Sequence, residues 1–247
     1  MTKVYIDGDI LVYRAALKCE TICDWGDDLW SIAADLREAK GHFTSEVSRI
    51  ITILSGEFSS IETIVCVSCQ GPTFRHDLFP DYKGNRKSRK PLVFRPLRDW
   101  AVTEMGAIRY PRLEADDVMG IGATKNPDSV IVTIDKDLRS IPGKHYNPDK
   151  PEEGVVDVSL SQADEFFFTQ SIAGDPTDNF KGVPGIGMVR AAKLLDKEGA
   201  SWETVLGAYA KAKLSEEEAL LNTRMARILR HTDWDSKKSE AILWNPK

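Results

Sequence analysis

Runs of apolar residues along the chain follow two kinds of spacing. Residues 3–7 alternate and are rich in branched and aromatic side chains, as in a half-buried strand. Residues 61–68 and 129–134 are almost wholly apolar, which is typical of strands covered on both faces, and residues 107–110 predict a further short strand. Helical spacing is found at 10–17, 43–54, 92–105, 161–172, 202–212 and 216–230, and another helix is expected to begin near Met188. This order indicates an α/β fold with a mostly parallel sheet.

The composition is that of an ordinary globular protein. Of 247 residues, 42% are hydrophobic and 29% are charged, which suits one large domain or a domain with a small appendix. No apolar run approaches membrane length and the N-terminus begins with a strand pattern, so we expect a cytosolic protein with no membrane partner. The cysteines, Cys19, Cys23, Cys66 and Cys69, agree with a reduced compartment, and buried free thiols are favoured over a zinc site.

The stretch at 113–118, Leu-Glu-Ala-Asp-Asp-Val, places three carboxylates at a predicted helix start. On a helix, Glu114 and Asp117 share a face, whereas Asp116 lies to one side of the same turn. These charges repel one another, and a hard cation such as Mg²⁺ or Mn²⁺ would relieve the repulsion. An acidic first turn that complements the helix dipole is the simpler alternative.

Further acids follow two of the predicted strands. Asp7 ends the first strand, and Asp135 and Asp137 follow the strand at 129–134. Ligands gather at the carboxyl ends of the strands in open α/β sheets. Because these acids and the helix start would converge on one edge of the sheet, the sequence favours a divalent-metal site over independent surface acids.

A basic segment at 75–98 contrasts with the net charge of −5, which is not that of a typical nucleic-acid binder. Around Tyr82 it carries Lys83, Arg86 and Lys87, a combination that suits phosphate neutralisation and base stacking. A solvated basic loop is the alternative. The position of the segment between a strand and the carboxylate helix favours phosphate contact.

The segment at 174–187 is rich in glycine and precedes a predicted amphipathic helix. Its Gly-x-Pro-Gly-x-Gly pattern lets backbone groups approach a phosphate or a small cation at a helix N-terminus, and so grip DNA without reading sequence. A plain turn between helices is the alternative. Asp175 and Asp178 are three residues apart and are expected to share a face directed toward the sheet. An arginine stripe further on is favoured as a solvated face over a DNA contact; it comprises Arg224, Arg227 and Arg230.

Taken in order, these motifs form one recognisable series: Asp7, Tyr-Lys-Gly-Asn-Arg at 82–86, Glu-x-Asp-Asp at 114–117, Asp-x-Asp at 135–137 and the segment at 174–187. The series resembles that of the flap endonuclease and 5′-3′ exonuclease family, and most of all the small exonucleases of short-tailed phages. The likeness covers nearly the whole chain.

The resemblance implies a PIN/FEN-like α/β fold with a mostly parallel central sheet flanked by helices. A helical arch or gateway is expected at about 78–100, and a helix-three-turn-helix that grips duplex DNA at about 174–196. The implied division is a nuclease domain at 1–157 and a helical C-terminal region at 158–247.

The resemblance also implies roles for single residues. The first metal group would consist of Asp7, Glu114, Asp116 and Asp117, and the second of Asp135, Asp137, Asp175 and Asp178. Lys83 and Arg86 correspond to cations that contact the scissile phosphate. A potassium ion would be held by the backbone carbonyls of Ile172, Ala173, Lys181, Val183 and Ile186. The candidate DNA contacts are Arg75, Tyr82, Lys83, Arg86, Lys87, Gly182, Gly185 and Gly187.

The implied activity is that of a 5′-3′ exonuclease or structure-specific flap endonuclease that uses Mg²⁺ or Mn²⁺, with two ions expected, and leaves 5′ phosphates. Its substrate would be DNA with a 5′ end or flap, and RNA primer strands are left open as a further partner. A monomer is expected, acting in the host cytoplasm during DNA replication or recombination if a phage encodes it. The alternatives are a PIN-like ribonuclease and a catalytically silent DNA-binding protein.

One departure from the family pattern concerns the end of the strand at 61–68. The family usually carries a metal-linked Asp there, but Ser68, Cys69 and Gln70 provide no acid. Three explanations stay open: Asp9 or a water takes its place, activity is weakened, or the sequence is an altered one.

Overall fold

The computed structural model describes residues 1–246, in which short strands alternate with longer helices. The strands are β1 (Thr2–Asp7), β2 (Glu20–Asp24), β3 (Trp30–Ala34), β4 (Ile61–Cys66), β5 (Val130–Val132), β6 (Gly143–Tyr146), β7 (Val155–Val158), β8 (Gly174–Asp175), β9 (Phe180–Lys181), β10 (Trp234–Asp235) and β11 (Glu240–Ala241). The α-helices are α1 (Gly8–Lys18), α2 (Leu36–Leu54), α3 (Phe74–Leu78), α4 (Phe94–Thr103), α5 (Ala115–Lys125), α6 (Leu160–Ala173), α7 (Met188–Glu198), α8 (Trp202–Lys211) and α9 (Glu216–Ala226).

The central sheet has five strands in the order β4-β1-β5-β6-β7. β1 pairs in parallel with both β4 and β5, β6 is parallel to β5, and β7 is antiparallel at the edge. The carboxyl ends of β1, β4 and β5 therefore lie side by side. The expected mostly parallel sheet flanked by helices is confirmed.

Alternation along β1 sends its side chains into two separate cores. Val4 and Ile6 pack with the helices α1, α2 and α4 on one face of the sheet. Tyr5, on the opposite face, packs with α5 and with Leu229 from the C-terminal part of the chain. Both faces are covered, which explains why the central strands are almost uniformly apolar.

The helices α6 to α9 enclose a third core around Ile172, Val183 and Tyr209. The β8–β9 hairpin and the turn before α7 lie at its margin. Leu229, which follows α9, packs with α5 and with Tyr5 of the sheet, so the C-terminal segment reaches the sheet face. The predicted division between 157 and 158 falls at the end of β7 and stays a prediction.

Two regions hold secondary structure that the sequence pattern missed. The stretch at 20–34 forms a β2–β3 hairpin, and α2 begins at Leu36 instead of near residue 43, because the Asp35 side chain caps it by accepting from Arg37 N at 2.7 Å. The connector at 141–154 contains β6, and the stretch that follows it forms β7. Conversely, residues 107–110 contribute a single bridge between Ile108 and Cys66.

The helical arch or gateway expected at about 78–100 is helical only in α4, and the prediction is wrong for most of its length. Between α3 and α4, residues 79–93 form turns and irregular backbone. Pro80, Gly84 and Pro91 disfavour a helix, and the dense positive charges between them repel one another. The segment crosses the acidic edge of the sheet as a loop, named here the basic loop (residues 79–93).

Within the described residues, no helix is both long and apolar enough to cross a bilayer.

Candidate active site

Asp7 is held at the junction of β1 and α1. Its backbone ends the strand, and its carboxylate accepts hydrogen bonds from Ile10 N at 3.2 Å and from Thr133 Oγ1 at 3.0 Å. Gly8 permits this sharp turn, since a Cβ there would lie 2.7 Å from the Cys66 carbonyl oxygen. The Asp7 side chain is therefore fixed and 95% buried, with a relative exposure of 5%.

Thr133 links Asp7 to the acids that follow β5. The Asp135 backbone N–H donates to Thr133 Oγ1 at 3.0 Å, and the Asp135 carboxylate accepts from Asp137 N at 2.9 Å. One carboxylate oxygen of Asp137, Oδ1, is shielded from solvent and has no hydrogen-bond partner among the described residues. Thr133 was not predicted as a site residue, although it lies two positions before Asp135.

A small cavity of about 30 Å³ joins acids from three parts of the chain. Its carboxylate lining comes from the start of α5, the turn after β5 and the β8–β9 hairpin, and consists of Glu114, Asp116, Asp137, Asp175 and Asp178. Asp7 and Asp135 lie beside this group, since Thr133 contacts both of them at the carboxyl ends of β1 and β5, and their charges act on Asp116. We call these seven side chains the acid pocket. The predicted convergence at one sheet edge is thus found in the structure.

The basic loop covers one side of the acid pocket. Lys83 Nζ forms an ion pair with Glu114 and lies 3.7 Å from Asp178 Oδ2, while Arg86 pairs with Asp178 Oδ1. Tyr82 donates its hydroxyl to Glu114 Oε2 at 2.8 Å and lies 3.0 Å from Asp178 Oδ2. The backbone of Lys83 has a φ of +57°, and its N–H donates to the Asp178 carbonyl at 3.0 Å. The loop is thereby fastened to the β8–β9 hairpin.

The two sides of the acid pocket differ in ionisation. Burial, and then the neighbouring Asp7 and Asp135 carboxylates, raise the pKa of Asp116. Burial and Asp135 raise the pKa of Asp137 to about 7, and burial and Asp9 raise that of Asp7. On the other side, burial opposes ionisation of Glu114, but Lys83 and Arg75 lower its pKa to about 2.

The acid pocket fits a hard divalent cation. Among the described residues, Asp137 Oδ1 has no donor, and the raised pKa values of Asp116 and Asp137 show that their charged forms are destabilised. Oxygen ligands of this kind suit Mg²⁺ or Mn²⁺. Among the described residues, no three pocket carboxylates have ligand oxygens within 4.8 Å of one another. Tyr82 and Lys83 lie between two of the carboxylates, Glu114 and Asp178, and contact both.

A mixed group of ligand atoms lies at the α1–α2 contact, away from the pocket residues. The Cys19, Glu38 and His42 ligand atoms are within 4.8 Å of one another. Local interactions account for this group: the thiol lies 3.1 Å from the Ala15 carbonyl, and Glu38 and His42 form an i,i+4 pair. All four cysteines are free, as predicted, and Cys66 and Cys69 are buried.

Asp117 does not belong to the acid pocket, and Arg75 cannot contact DNA. Their side chains form a buried bidentate pair, with Arg75 Nη1 and Nη2 at 2.7 and 2.8 Å from the two carboxylate oxygens. Arg75 also donates to the carbonyls of Met225 and Arg227, and Asp117 accepts from Leu229 N. Both predicted roles are wrong, because this junction joins α5 to the C-terminal segment.

Tyr82 also differs from its predicted role. Its side chain is buried, its hydroxyl is used by the two carboxylates, and its ring contacts the edge of His76. A base cannot stack on it in this arrangement. Lys87, in contrast, is exposed on the basic loop and remains available for phosphate.

The C-terminal arginines are structural contacts, so the favoured solvated face is wrong. The helix α9 ends at Ala226, and Arg227 pairs with Asp233 at 2.7 Å. Arg230 pairs with Asp164 at 2.7 Å, and Arg224 donates to the Trp244 carbonyl.

The glycine segment divides into a packed part and an exposed part. A Cβ on Gly182 would lie 2.2 Å from the Ile172 carbonyl oxygen, so glycine serves close backbone packing there and its predicted DNA contact is not supported. Gly185 has a φ of +76° and Gly187 caps α7; both are exposed with open space at the Cβ position. These two remain candidates for a phosphate contact at a helix start.

The carbonyls predicted to bind potassium lie around the same hairpin. Ile172 O accepts from Val183 N at 2.7 Å, Val183 O accepts from Ile186 N at 3.0 Å, and Lys181 O accepts from Asn222 Nδ2 at 2.8 Å. Each carbonyl oxygen retains a second lone pair.

Comparison with known proteins reveals relatives along the whole chain. The family described as "5′-3′ exonuclease, N-terminal resolvase-like domain" matches residues 2–147. The exodeoxyribonuclease of Enterobacteria phage T3 is 28% identical and the exonuclease of Escherichia phage T7 is 27% identical; each alignment covers 98% of this chain and 92% of the relative.

A solved structure has the same fold. It is a bacteriophage T5 flap endonuclease in a pseudo-enzyme-product complex with DNA and metal ions, which superposes with a TM-score of 0.63 at 17% identity. The superposition covers 92% of this chain and 89% of that one. At this identity the likeness concerns the fold.

Proposed function

Because the chain belongs to the 5′-3′ exonuclease family, we propose that it hydrolyses DNA phosphodiester bonds at a 5′ end or 5′ flap and leaves 5′ phosphates. The observation that carries this proposal is the acid pocket, in which carboxylates from separate parts of the chain adjoin one cavity with Lys83 and Arg86 at its rim. Such an arrangement suits metal ions that hold a phosphate against nearby cations.

Mg²⁺ or Mn²⁺ is the proposed cofactor, with two ions in the pocket. The first would be held by Asp7, Glu114 and Asp116, and the second by Asp135, Asp137, Asp175 and Asp178. When bound, divalent ions of this kind lower the pKa of a water and stabilise the leaving 3′ oxygen. The protein's share is to fix the ligand positions, which Thr133 does for Asp7 and Asp135.

Lys83 and Arg86 would neutralise the negative charge that develops on the phosphoryl oxygens. Although burial disfavours its charged form, Glu114 and Asp178 raise the pKa of Lys83, so its ammonium group stays protonated. Both cations now bind carboxylates at the pocket rim. An arriving phosphate can therefore take up their donors without a large movement of the basic loop.

Duplex DNA would be gripped at the start of α7. Gly185 and Gly187 are exposed there with open space at the Cβ position, and the first N–H groups of a helix have no partner within the helix, which suits a phosphate. A groove of about 780 Å³ is lined by Asp135 and Lys136 at the sheet edge and by Met188 and Val189 of α7. It connects the proposed grip with the acid pocket.

Potassium would strengthen this grip by bridging the carbonyls around Val183 to a DNA phosphate. The support is the clustering of carbonyls from both sides of the β8–β9 hairpin. DNA affinity should then be higher in KCl than in LiCl at equal ionic strength, whereas equal affinities would remove this part of the proposal. We further propose that the protein is a monomer and that it acts in phage DNA replication or recombination. RNA primer strands are proposed as an additional substrate.

The second candidate function, DNA binding without catalysis, is favoured by one observation. Ser68 stands at the carboxyl end of β4, where an acid would complete the pocket from that side. The two functions differ in whether any bond is cut when divalent metal is present.

A cleavage assay tests the proposal directly. End-labelled 5′-flap, 5′-recessed and RNA substrates are incubated with Mg²⁺, with Mn²⁺ or with EDTA. We expect cutting of the DNA substrates with either metal and none in EDTA, with 5′-phosphorylated products. Binding without cutting would favour the silent alternative, and preferential cutting of RNA would favour a PIN-like ribonuclease.

A further inference from the structure

Asp9 is the second acid after β1, and half of its carboxylate lacks a partner. Oδ2 accepts a hydrogen bond from Ser68 N at 3.2 Å. Oδ1 is shielded from solvent and accepts no hydrogen bond among the described residues. A buried carboxylate oxygen without a donor is costly unless a cation reaches it.

The surroundings of Asp9 contain charges of both signs. Asp7 and Glu114 are its acidic neighbours on the pocket side, and Arg98 from α4 and Lys90 from the basic loop are its basic neighbours. Neither cation comes within the 4.0 Å of an ion pair in the described part of the chain. The Asp9 carboxylate therefore adjoins the acid pocket, and Arg98 offsets its charge from a distance without forming an ion pair among the described residues.

Ser68 connects Asp9 to the helix that carries Glu114 and Asp116. Its backbone N–H donates to Asp9, and its hydroxyl accepts from Ala115 N at 3.0 Å. The carboxyl end of β4 offers no acid at 68–70. Of the three adjacent strands β4, β1 and β5, only β4 has no acid at its carboxyl end among the described residues, and Asp9 brings a carboxylate there.

We propose that Asp9 is an additional metal-linked carboxylate, which reaches the acid pocket from α1 and takes the place of an acid at the end of β4. This inference rests on the proposed function. It explains why Oδ1 is buried without a donor, since a divalent ion or a water bound to that ion would be its partner.

Binding of Mn²⁺ to the metal-free protein, followed by calorimetry, tests this role without relying on catalysis. Asp9→Asn keeps the shape and can still accept from Ser68 N, so it removes the charge alone. We expect Mn²⁺ affinity to fall about tenfold or more. Thermal stability in EDTA should be unchanged or higher, because the variant removes a buried charge without a partner.

The double variant D9N/S68D supplies a rescue. It returns one carboxylate to the same place from the end of β4, so it should recover Mn²⁺ affinity and cleavage relative to D9N. Asp128→Asn, at an exposed loop acid, is the matched control and should behave as wild type.

The outcomes separate the two proposals. Wild-type affinity in D9N, together with lost affinity in D116N, would overturn the role of Asp9 and leave the proposed function intact. An absence of Mn²⁺ binding to the wild-type protein would overturn both. If D9N is less thermally stable than wild type in EDTA, and the double variant D9N/S68D does not recover Mn²⁺ affinity, Asp9 has only a structural role.

Discussion

The acid pocket and the Arg75–Asp117 junction lie on either side of one helix start, and adjacent residues serve them. Asp116 lies in the pocket with other carboxylates, and the pKa of its carboxyl group is raised. Asp117 is fully buried against the Arg75 guanidinium, which satisfies both of its oxygens. The difference teaches that Asp117, whose charge is met by the Arg75 guanidinium, joins two parts of the fold, whereas Asp116 has no ion-pair partner among the described residues and is left to bind a cation.

The largest effect is expected from removing the Asp116 charge. D116N should reduce DNA cleavage roughly a thousandfold or more, because a pocket carboxylate that holds the metal is lost. Stability in EDTA should stay the same or rise. Single-turnover cleavage and thermal unfolding measure the two effects, and D128N is the control. Near-normal cleavage would contradict a role for Asp116 in the pocket.

The neighbouring change D117N should lower stability and leave metal binding intact, the reverse of D116N. It weakens a buried ion pair and should lower the free energy of unfolding by about 3 to 5 kcal/mol, the usual cost of breaking such a pair. Mn²⁺ affinity of the folded protein should be retained. Denaturant unfolding followed by circular dichroism, with calorimetry below the transition, checks both parts; an unchanged stability with lost metal affinity would return Asp117 to the pocket.

Lys83→Ala sharpens the comparison from the cation side of the pocket. It should slow single-turnover cleavage about a hundredfold, since one donor to the phosphoryl oxygens is removed, and should change DNA affinity much less. Lys87→Ala, on the exposed part of the same loop, should mainly weaken DNA binding in a salt-dependent way. A K83A enzyme with normal chemistry and weak binding would make Lys83 only an anchor.

A further prediction concerns pH in the absence of metal. The folded state raises the pKa of Asp137 from 3.8 to about 7, so it binds a proton more tightly than the unfolded chain does. This group therefore stabilises the fold at pH 4 and loses that contribution as the pH rises to about 7. In EDTA, the stability of D137N relative to wild type should increase over this interval. A constant difference between pH 4 and pH 7 would show that Asp137 is not perturbed.

The positions of Asp7, Asp135 and Asp137 could be predicted because they depend on sheet topology alone. Apolar strands fix which residues reach the carboxyl edge, and that edge is shared in a parallel sheet. The positions of Gly185 and Gly187 at a helix start could also be predicted, since both precede an amphipathic helix. Proline and glycine in the basic loop disfavour a helix, so the irregular backbone there has a local cause that the family resemblance does not show.

The roles of Asp116 and Asp117 could not be predicted from helical spacing. Glu114 has extended backbone, with φ −83° and ψ 163°, so it caps the helix and does not share a helical face with Asp117. Asp117 accepts from Glu114 N and turns into the core instead. Arg75 was misplaced because its partners lie about 150 residues away along the chain, at Met225 and Arg227. Such contacts leave no local pattern.

The most direct test of the acid pocket is anomalous diffraction at the manganese absorption edge from crystals soaked in Mn²⁺. The account predicts a peak among Asp7, Glu114 and Asp116 that disappears in D116N crystals. The account would be contradicted if the acid pocket showed no anomalous peak, or if the only peak lay at Cys19, Glu38 and His42 at the α1–α2 contact.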